Sequence, residues 1–528
     1  MHRGETMSSG KKTLAGSALS VTIIIFVSKA IGFVREMIMA AYFGADTVTD
    51  AYNSAYSLFY LPVLLFSSCI TSTLVPLYLK CKNDHGLKTA DHFCSNTLNI
   101  MSLLSLGVCL LMTVFARPLV KLVYPGFSEE TVEQTVRLSR IMYPALLFFT
   151  AGLVLSSLLN AREKYVAAQL TGLPLSIAEI SAAVFFSKSA GITAQAWGVV
   201  AAGILQIVIL APFLKGFSYV PQLNFRSKRI RRMAVLAGPA VLSMAVNELN
   251  HMVDRMLASG LNGGDITSLT YAFKLIMFMM GVIVVPLTTV SFSRMSKQAA
   301  KEDPNALCPF VREGLGLMIS VALPIVIVAA CQSQNVIRFA YGRGAFTEEN
   351  VRVTGLVFLC YVVGVPFYAS RDMLNRVFHA MQDTKTPMRV AAISMAINIV
   401  LNILLRRVMG VYGLALATGI AALAGIVQLN LCLKSRLNGL FSRAFIKQFL
   451  RLILCCVPVL VVSLLLAQLP AVTGSLRLFL RLCWVTLTAV CVYLTTVWFL
   501  GGQRTRERFL SLAQKLLGKF HLVKSRVK

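Results

Sequence analysis

The chain has 528 residues, 56% of them hydrophobic and 14% charged, with mean hydropathy +0.72 and formal net charge +29. A soluble domain carries roughly 25% charged residues, so there is too little polar surface here for a globular enzyme of this length. The basic residues fall between long apolar runs and not on one folded face, which excludes a nucleic-acid binder and leaves an all-α polytopic membrane protein.

A helix that crosses a bilayer needs about 20 mostly apolar residues. Fourteen segments qualify: 14–43, 50–79, 91–116, 133–160, 164–187, 192–214, 232–258, 266–293, 310–331, 350–378, 387–408, 411–433, 446–468 and 478–501. The first follows Lys11 and Lys12 and is too long for the apolar region of a signal peptide, so it is read as a span. It carries Lys29, Arg35 and Glu36; Lys29 and Glu36 are seven apart and share a face, with Arg35 a third of a turn away. The second opens on Asp50 and adds Asn53, Tyr56 and Tyr60. Pro62, Pro76, Pro144, Pro174, Pro239, Pro286 and Pro366 lie inside spans, where bends or breaks are expected. In the seventh, Asn247, Asn250 and Asp254 follow i, i+3, i+7 and form one polar stripe beside Glu248, His251 and Arg255. The eighth carries Lys274 within Ala272-Phe-Lys-Leu-Ile-Met-Phe-Met-Met. Between the tenth and eleventh lies His379-Ala-Met-Gln-Asp-Thr-Lys-Thr-Pro387, read as a turn and cap or as part of a gate. After residue 501 the chain ends in a basic tail, Arg504 to Lys528, either solvated or lying on an anionic leaflet through Phe509, Leu510, Leu512, Leu516 and Leu517. The twelve Cys are scattered with no CxxC pair, and the six His form no metal-ligand cluster, so buried packing is the plain reading.

Lys and Arg are retained on the cytoplasmic side. With both termini inside, and bases at span ends counted with the adjoining loop, inside segments hold about 34 of the 51 and outside segments about 10. Inside clusters include Lys80/Lys82/Lys88, Arg226/Lys228/Arg229/Arg231/Arg232, Arg294/Lys297/Lys301 and Lys434/Arg436/Arg443/Lys447.

Two outside loops match at an offset of 217 residues: Tyr124-Pro-Gly-Phe127-Ser-Glu-Glu-Thr-Val132 and Tyr341-Gly-Arg-Gly-Ala-Phe346-Thr-Glu-Glu-Asn-Val351. Each reads as a helix N-cap with acids at the positive end of the dipole. Ala55-Tyr-Ser-Leu58 and Ala272-Phe-Lys-Leu275 share that offset, and Leu159-Asn160 recurs nearby as Leu374-Asn375. Six spans separate the copies, so the repeats are parallel. The domains expected are two six-helix bundles, 13–216 and 231–435, two further helices in 446–501, and a cytoplasmic tail, 502–528.

An intramembrane charge costs roughly 2.5–3.5 kcal/mol on the insertion scale and should face a cavity or a partner. Polar load falls on spans 1, 2, 7 and 8, the opening pairs of the two halves. Lys29, Arg35 and Lys274 converging on a cavity between the halves suit an anionic group such as a diphosphate. The competing reading is internal pairing: Arg35 with Asp50, Lys29 with Glu36, Glu248 with Arg255. Asp254 with its Asn neighbours offers hard oxygens for Na⁺ or a proton site, or else reaches water near the outer end of its helix.

At these residues the chain resembles the MurJ/MviN lipid II flippases of the MOP exporter superfamily. Ser28-Lys-Ala-Ile-Gly-Phe-Val-Arg-Glu36, Phe43-Gly44 and Thr49-Asp50-Ala51 are similar to the family's opening motifs. Pro125-Gly-Phe127, Leu159-Asn160, Gly238-Pro239, Tyr271-Ala272…Lys274-Leu275, Tyr341-Gly342…Phe346-Thr347 and Asp383-Thr-Lys-Thr-Pro387 follow in order. The resemblance covers 13–435 and implies fourteen spans. It implies a rocking, alternating-access carrier that moves undecaprenyl-diphosphate disaccharide-pentapeptide from the inner to the outer leaflet, with no covalent chemistry. It also implies headgroup contacts at Lys29, Arg35 and Lys274, with Glu36 and Asp50 beside them. Asp254 aligns with a carboxylate that binds Na⁺ in some members, with Asn250 and Asn247 near it; a late span-2 Arg of the family is replaced here in the region of Pro62 and Val63. The last two spans would accommodate the lipid tail. No cofactor is implied, with Na⁺ or the membrane potential as driving force, and the partners implied are membrane lipids and the cell-wall synthesis machinery. The rivals are a related exporter of drugs or another polyprenyl-linked oligosaccharide, and a membrane-embedded transferase, for which no DxD or DDxxD cluster is present.

Overall fold

The computed structural model describes residues 3–289, 295, 307–437, 443–470 and 474–500, with side chains from Ser20 onward except at 247, 283 and 443–445. The basic tail and the Arg294/Lys297/Lys301 cluster lie outside the described residues. The described residues are built on helices: α1 (Arg3–Phe43), α2 (Thr47–Val114), α3 (Ala116–Val123), α4 (Glu129–Met142), α5 (Ala145–Ala161), α6 (Tyr165–Gln169), α7 (Pro174–Ala190), α8 (Thr193–Leu210), α9 (Lys228–Ala258), α10 (Asp265–Met279), α11 (Cys308–Cys331), α12 (Ser333–Tyr341), α13 (Glu348–Ala380), α14 (Lys385–Met409), α15 (Val411–Lys434), α16 (Arg443–Ala467) and α17 (Ser475–Leu500). The described part of every expected span is mainly helical, and the protein is an all-α polytopic membrane protein. Among the described residues eleven helices are long and apolar enough to cross a bilayer, or twelve if the α4–α5 pair counts as one span.

Spans two and three are not separated by a loop. Two helical stretches, together labelled α2, meet directly at a kink in the expected inside connection, where the chain turns at Gly86 (φ 84°, ψ 171°). That backbone region is reserved for glycine, and nothing within 4 Å would hinder a side chain there, so conformation and not space fixes the residue. The prolines act unequally. Pro62 and Pro76 sit inside α2 while only Gly86 departs from helical angles, whereas the chain bends by 42° where Tyr143 and Pro144 join α4 to α5. Pro174 opens α7, where its missing N–H costs nothing. A π turn, Met280–Val284, ends two residues before Pro286.

Helix starts follow the polar side chains. Asp46 caps α2 by accepting from the Thr49 N–H at 2.9 Å, while its own N–H donates to Thr49 Oγ1 at 2.8 Å. Both repeated loops are N-caps as expected. Ser128 accepts from the Thr131 N–H ahead of Glu129 and Glu130, and Thr347 exchanges hydrogen bonds with Asn350 ahead of Glu348 and Glu349. Asp383 is a turn and cap: it accepts from the Lys385 and Thr386 N–H groups and from the Thr386 hydroxyl at 2.6 Å, and pairs with Arg436 at 2.6 Å.

The chain forms two compact units, one of Met1–Tyr271 with Tyr341–Asn350, the other of Ala272–Ala340 with Val351–Lys528. In the first, Ile70, Leu74, Tyr78, Phe93, Ile100 and Leu158 make a core between α2 and α5. In the second, Met318, Met373, Leu374, Phe378, Leu429 and Leu433 join α11, α13 and α15. There a Cβ added to Gly364 would lie 3.0 Å from the Gly419 Cα, the close backbone approach that membrane helices use when no hydrophobic drive separates helix from lipid. Around the cores, large apolar side chains face outward: Val408 is 83% exposed and Phe185 74%. Such a surface would aggregate in water, so its solvent is lipid.

Candidate functional site

Arg35 lies at the centre of a buried ionic cluster in the first unit. On α1 its Nη2 donates to the Glu36 carboxylate at 2.6 Å. From α7, Glu179 brings Oε2 to 3.1 Å from Arg35 Nε. From α2, the Tyr52 hydroxyl donates to Glu179 Oε1 at 2.7 Å. The side chains of Arg35, Glu36 and Glu179 are 16%, 9% and 4% exposed, so one guanidinium meets two nearly dry carboxylates. At low effective dielectric such pairs are strong, and removal of one member strands its partner. The Arg35 Nε–H makes no hydrogen bond despite the nearby carboxylate, so that contact is an ion pair without good alignment. Above the cluster, Tyr56 stacks on Tyr52 and, at 5.5 Å between centroids, on Tyr60, an i, i+4, i+8 ladder along α2.

Asp50 and Arg35 have different neighbours. Asp50 accepts from the Gly264 N–H, the Thr267 N–H and the Thr267 hydroxyl, each at 2.7 Å, and so caps the start of α10; Asn53 donates to the same hydroxyl at 3.0 Å. These contacts belong to a knot of turns expected on the outside. The Ala345 N–H donates to Ala41 O, and Asn350 Nδ2 donates to Ala45 O. Gly44 (φ 66°) lies so near Ala345 that a Cβ would meet its carbonyl oxygen at 2.6 Å, and a Cβ at Gly344 (φ 61°) would meet Ala41 O more closely still. Both positions therefore require glycine for space and for backbone angle.

The pairing expected for Arg35 changes accordingly. Arg35 pairs with Glu36 and Glu179 in place of Asp50. Lys29 is exposed on α1, and Glu36 faces Arg35. Arg255 donates to Ser57 Oγ at 2.6 Å, tying α9 to α2. Asp254 does not reach water: it is 5% exposed, with His251 Nδ1 3.9 Å from Oδ2. Asn250 is half-buried, and the Asn247 side chain lies outside the described residues. Among the described residues no group of three His, Cys, Asp or Glu is placed to hold a metal ion; Asp254 and Asn250 nevertheless offer the hard oxygens that an alkali cation takes. Lys274 is half-buried on the part of α10 that belongs to the second unit.

Glu179 is the residue that the span-by-span reading passed over. Its signal was present: a carboxylate in the apolar run Pro174–Ala190 carries the same insertion cost as the cations that were singled out. Arg481 is a second case. Within an apolar helix it donates to the carbonyl of Leu466, in the last turn of α16, and to those of Leu469 and Pro470 just beyond it.

Residues 39–483 match the family model described as lipid II flippase MurJ. Curated relatives include a probable lipid II flippase MurJ of Thermotoga maritima, 29% identical over 81% of this chain and 86% of the relative. The lipid II flippase MurJ of Thermosipho africanus is 28% identical over 79% and 86%. Among solved structures, a lipid II flippase MurJ in an inward closed conformation superposes with TM-score 0.76 at 26% identity, over 91% of this chain and 98% of the other. An inward-facing multidrug MATE transporter of the MOP superfamily shares the fold at TM-score 0.66 and 12% identity, over 79% and 98%.

Proposed function

The chain belongs to the MurJ family of lipid II flippases, and we propose that it carries lipid II from the inner to the outer leaflet by alternating access, with Arg35 as a principal contact for the diphosphate. It is a transporter and not an enzyme, and its partner is lipid II. The observation that carries the site assignment is the dry Arg35 guanidinium, held on α1 by carboxylates in an apolar setting. A guanidinium offers a planar fork for phosphate oxygens, and its charge cannot be lost by deprotonation. Lys29 and Lys274 add point charges, and Glu36 orients Arg35. Asp50 holds α2 to the start of α10 in the knot of outer turns, so its part in the cycle is to stabilise that knot.

The membrane is the bacterial cytoplasmic membrane, with both termini inside by the distribution of Lys and Arg. The two six-helix halves would rock about the headgroup while the prenyl tail stays in lipid along 446–501. The membrane potential supplies about 2.3 kcal/mol per charge per 100 mV, enough to bias the cycle. Na⁺, if used, would be held by the oxygens of Asp254, Asn250 and Asn247. Cell-wall synthesis enzymes are the partners that would consume the flipped lipid.

In a bacterium depleted of its own flippase, Arg35→Ala and Lys274→Ala should each abolish growth rescue at wild-type protein levels. Full rescue by both would reject the clamp.

A further inference from the structure

We propose that Glu179 is an internal stand-in for the substrate's anionic group, holding Arg35 until the headgroup displaces it onto Tyr52. This rests on the diphosphate-binding reading of Arg35. One carboxylate would neutralise Arg35, yet two are present, and they differ in origin. Glu36 is the next residue of α1 and moves with Arg35, whereas Glu179 comes from α7, which packs against α1. The Glu179 contact is thus the one that a shift between the two helices makes or breaks. It is also loosely formed: Nε–H keeps its hydrogen-bonding capacity with Oε2 only 3.1 Å away. A phosphate oxygen placed on that edge would complete the bond. Glu179 then has a second donor already in place, since Tyr52 OH lies 2.7 Å from its other oxygen.

The charges give the exchange a direction. Arg35, Glu36 and Glu179 together carry one net negative charge when ionised, which repels an anion in a dry site. Once Glu179 withdraws to Tyr52, Arg35 presents its fork to the anion. On release, the carboxylate returns and competes the headgroup off, so the same residue that weakens binding speeds turnover. Specificity follows as well, because a neutral ligand cannot displace a carboxylate from a guanidinium.

The test uses the full chain in nanodiscs, titrated with undecaprenyl diphosphate. Glu179→Gln keeps shape and the acceptor for Tyr52 but removes the competing charge, and it should bind on the order of tenfold tighter while flipping more slowly. The gain should vanish when Arg35→Ala is added. Tyr52→Phe removes the alternative donor and should weaken binding. A purely structural role for Glu179 predicts the opposite sign for Glu179→Gln, so equal or weaker binding overturns the proposal. So does a gain that persists without Arg35, or unchanged binding in Tyr52→Phe should Glu179→Gln fail to fold. If the wild-type chain binds no undecaprenyl diphosphate, the diphosphate reading itself falls and takes this proposal with it.

Discussion

At the scale of single residues, two arginines inside apolar helices meet different partners. Arg481 and Arg35 look alike in the sequence, one cation in an apolar run. Arg481 directs its two terminal nitrogens to three backbone carbonyls at and just beyond a helix end, a task fixed in the fold. Arg35 faces two carboxylates, which on the proposed reading an anionic headgroup would replace. Sequence spacing places Arg35 and Glu36 together but cannot show Glu179, which is 144 positions from Arg35 along the chain (179 − 35). It also cannot show that Asp50, which opens the second span, turns toward Thr267 and not toward Arg35. Asp383 shows the residue scale outside the bilayer. The Thr386 hydroxyl and N–H, and then Arg436, hold its carboxyl below the usual carboxylate range. A lowered folded-state value stabilises above the unfolded value of about 3.9 and is lost as pH falls through the folded one. The difference in melting temperature between wild type and Asp383→Asn should therefore stay constant from pH 7.5 to 5.5 and narrow in stronger acid. A difference that already shrinks by pH 5.5 contradicts this.

At the scale of elements, length and apolarity made the helices legible, and caps made their starts legible, because both are local. The connections were not. The inside loop expected between spans two and three is helix with a single glycine turn, since the polar stretch 80–90 keeps helical hydrogen bonding on both sides of Gly86. The linker that follows α8 is irregular, yet one face of α2 binds it along its length. Asp91 and Ser95 accept from the N–H groups of Ser218 and Val220, and Asn99 donates to Gln222 O. Asn96 donates to Asn224 O at 3.0 Å and accepts from Asn224 N–H at 2.7 Å, a two-point grip on one backbone unit. Asp91 also pairs with Arg162 at 2.6 Å and accepts from Tyr78, which anchors the ladder in the core. Asn96→Ala removes two hydrogen bonds worth about 1 kcal/mol each. Proteolysis within 215–227 should then quicken by roughly tenfold or more, and an unchanged cleavage rate would remove the grip from the account.

At the scale of the whole molecule, positive-inside charge, fourteen apolar runs and a repeat of about 217 residues carry the membrane architecture in the sequence, because topology is written in composition. The functional site is a few residues drawn from helices far apart in the chain, and composition says nothing of them. A large apolar body isolates a very small set of charges from water, and on the proposed reading this is what would let one guanidinium discriminate an anionic headgroup. The most direct test of lipid II transport follows the substrate itself. In cells depleted of their own flippase and expressing this chain, labelled lipid II should become accessible to an impermeant probe added outside, and should stay inaccessible with Arg35→Ala. Correctly inserted wild-type protein that leaves lipid II inaccessible would contradict the assignment.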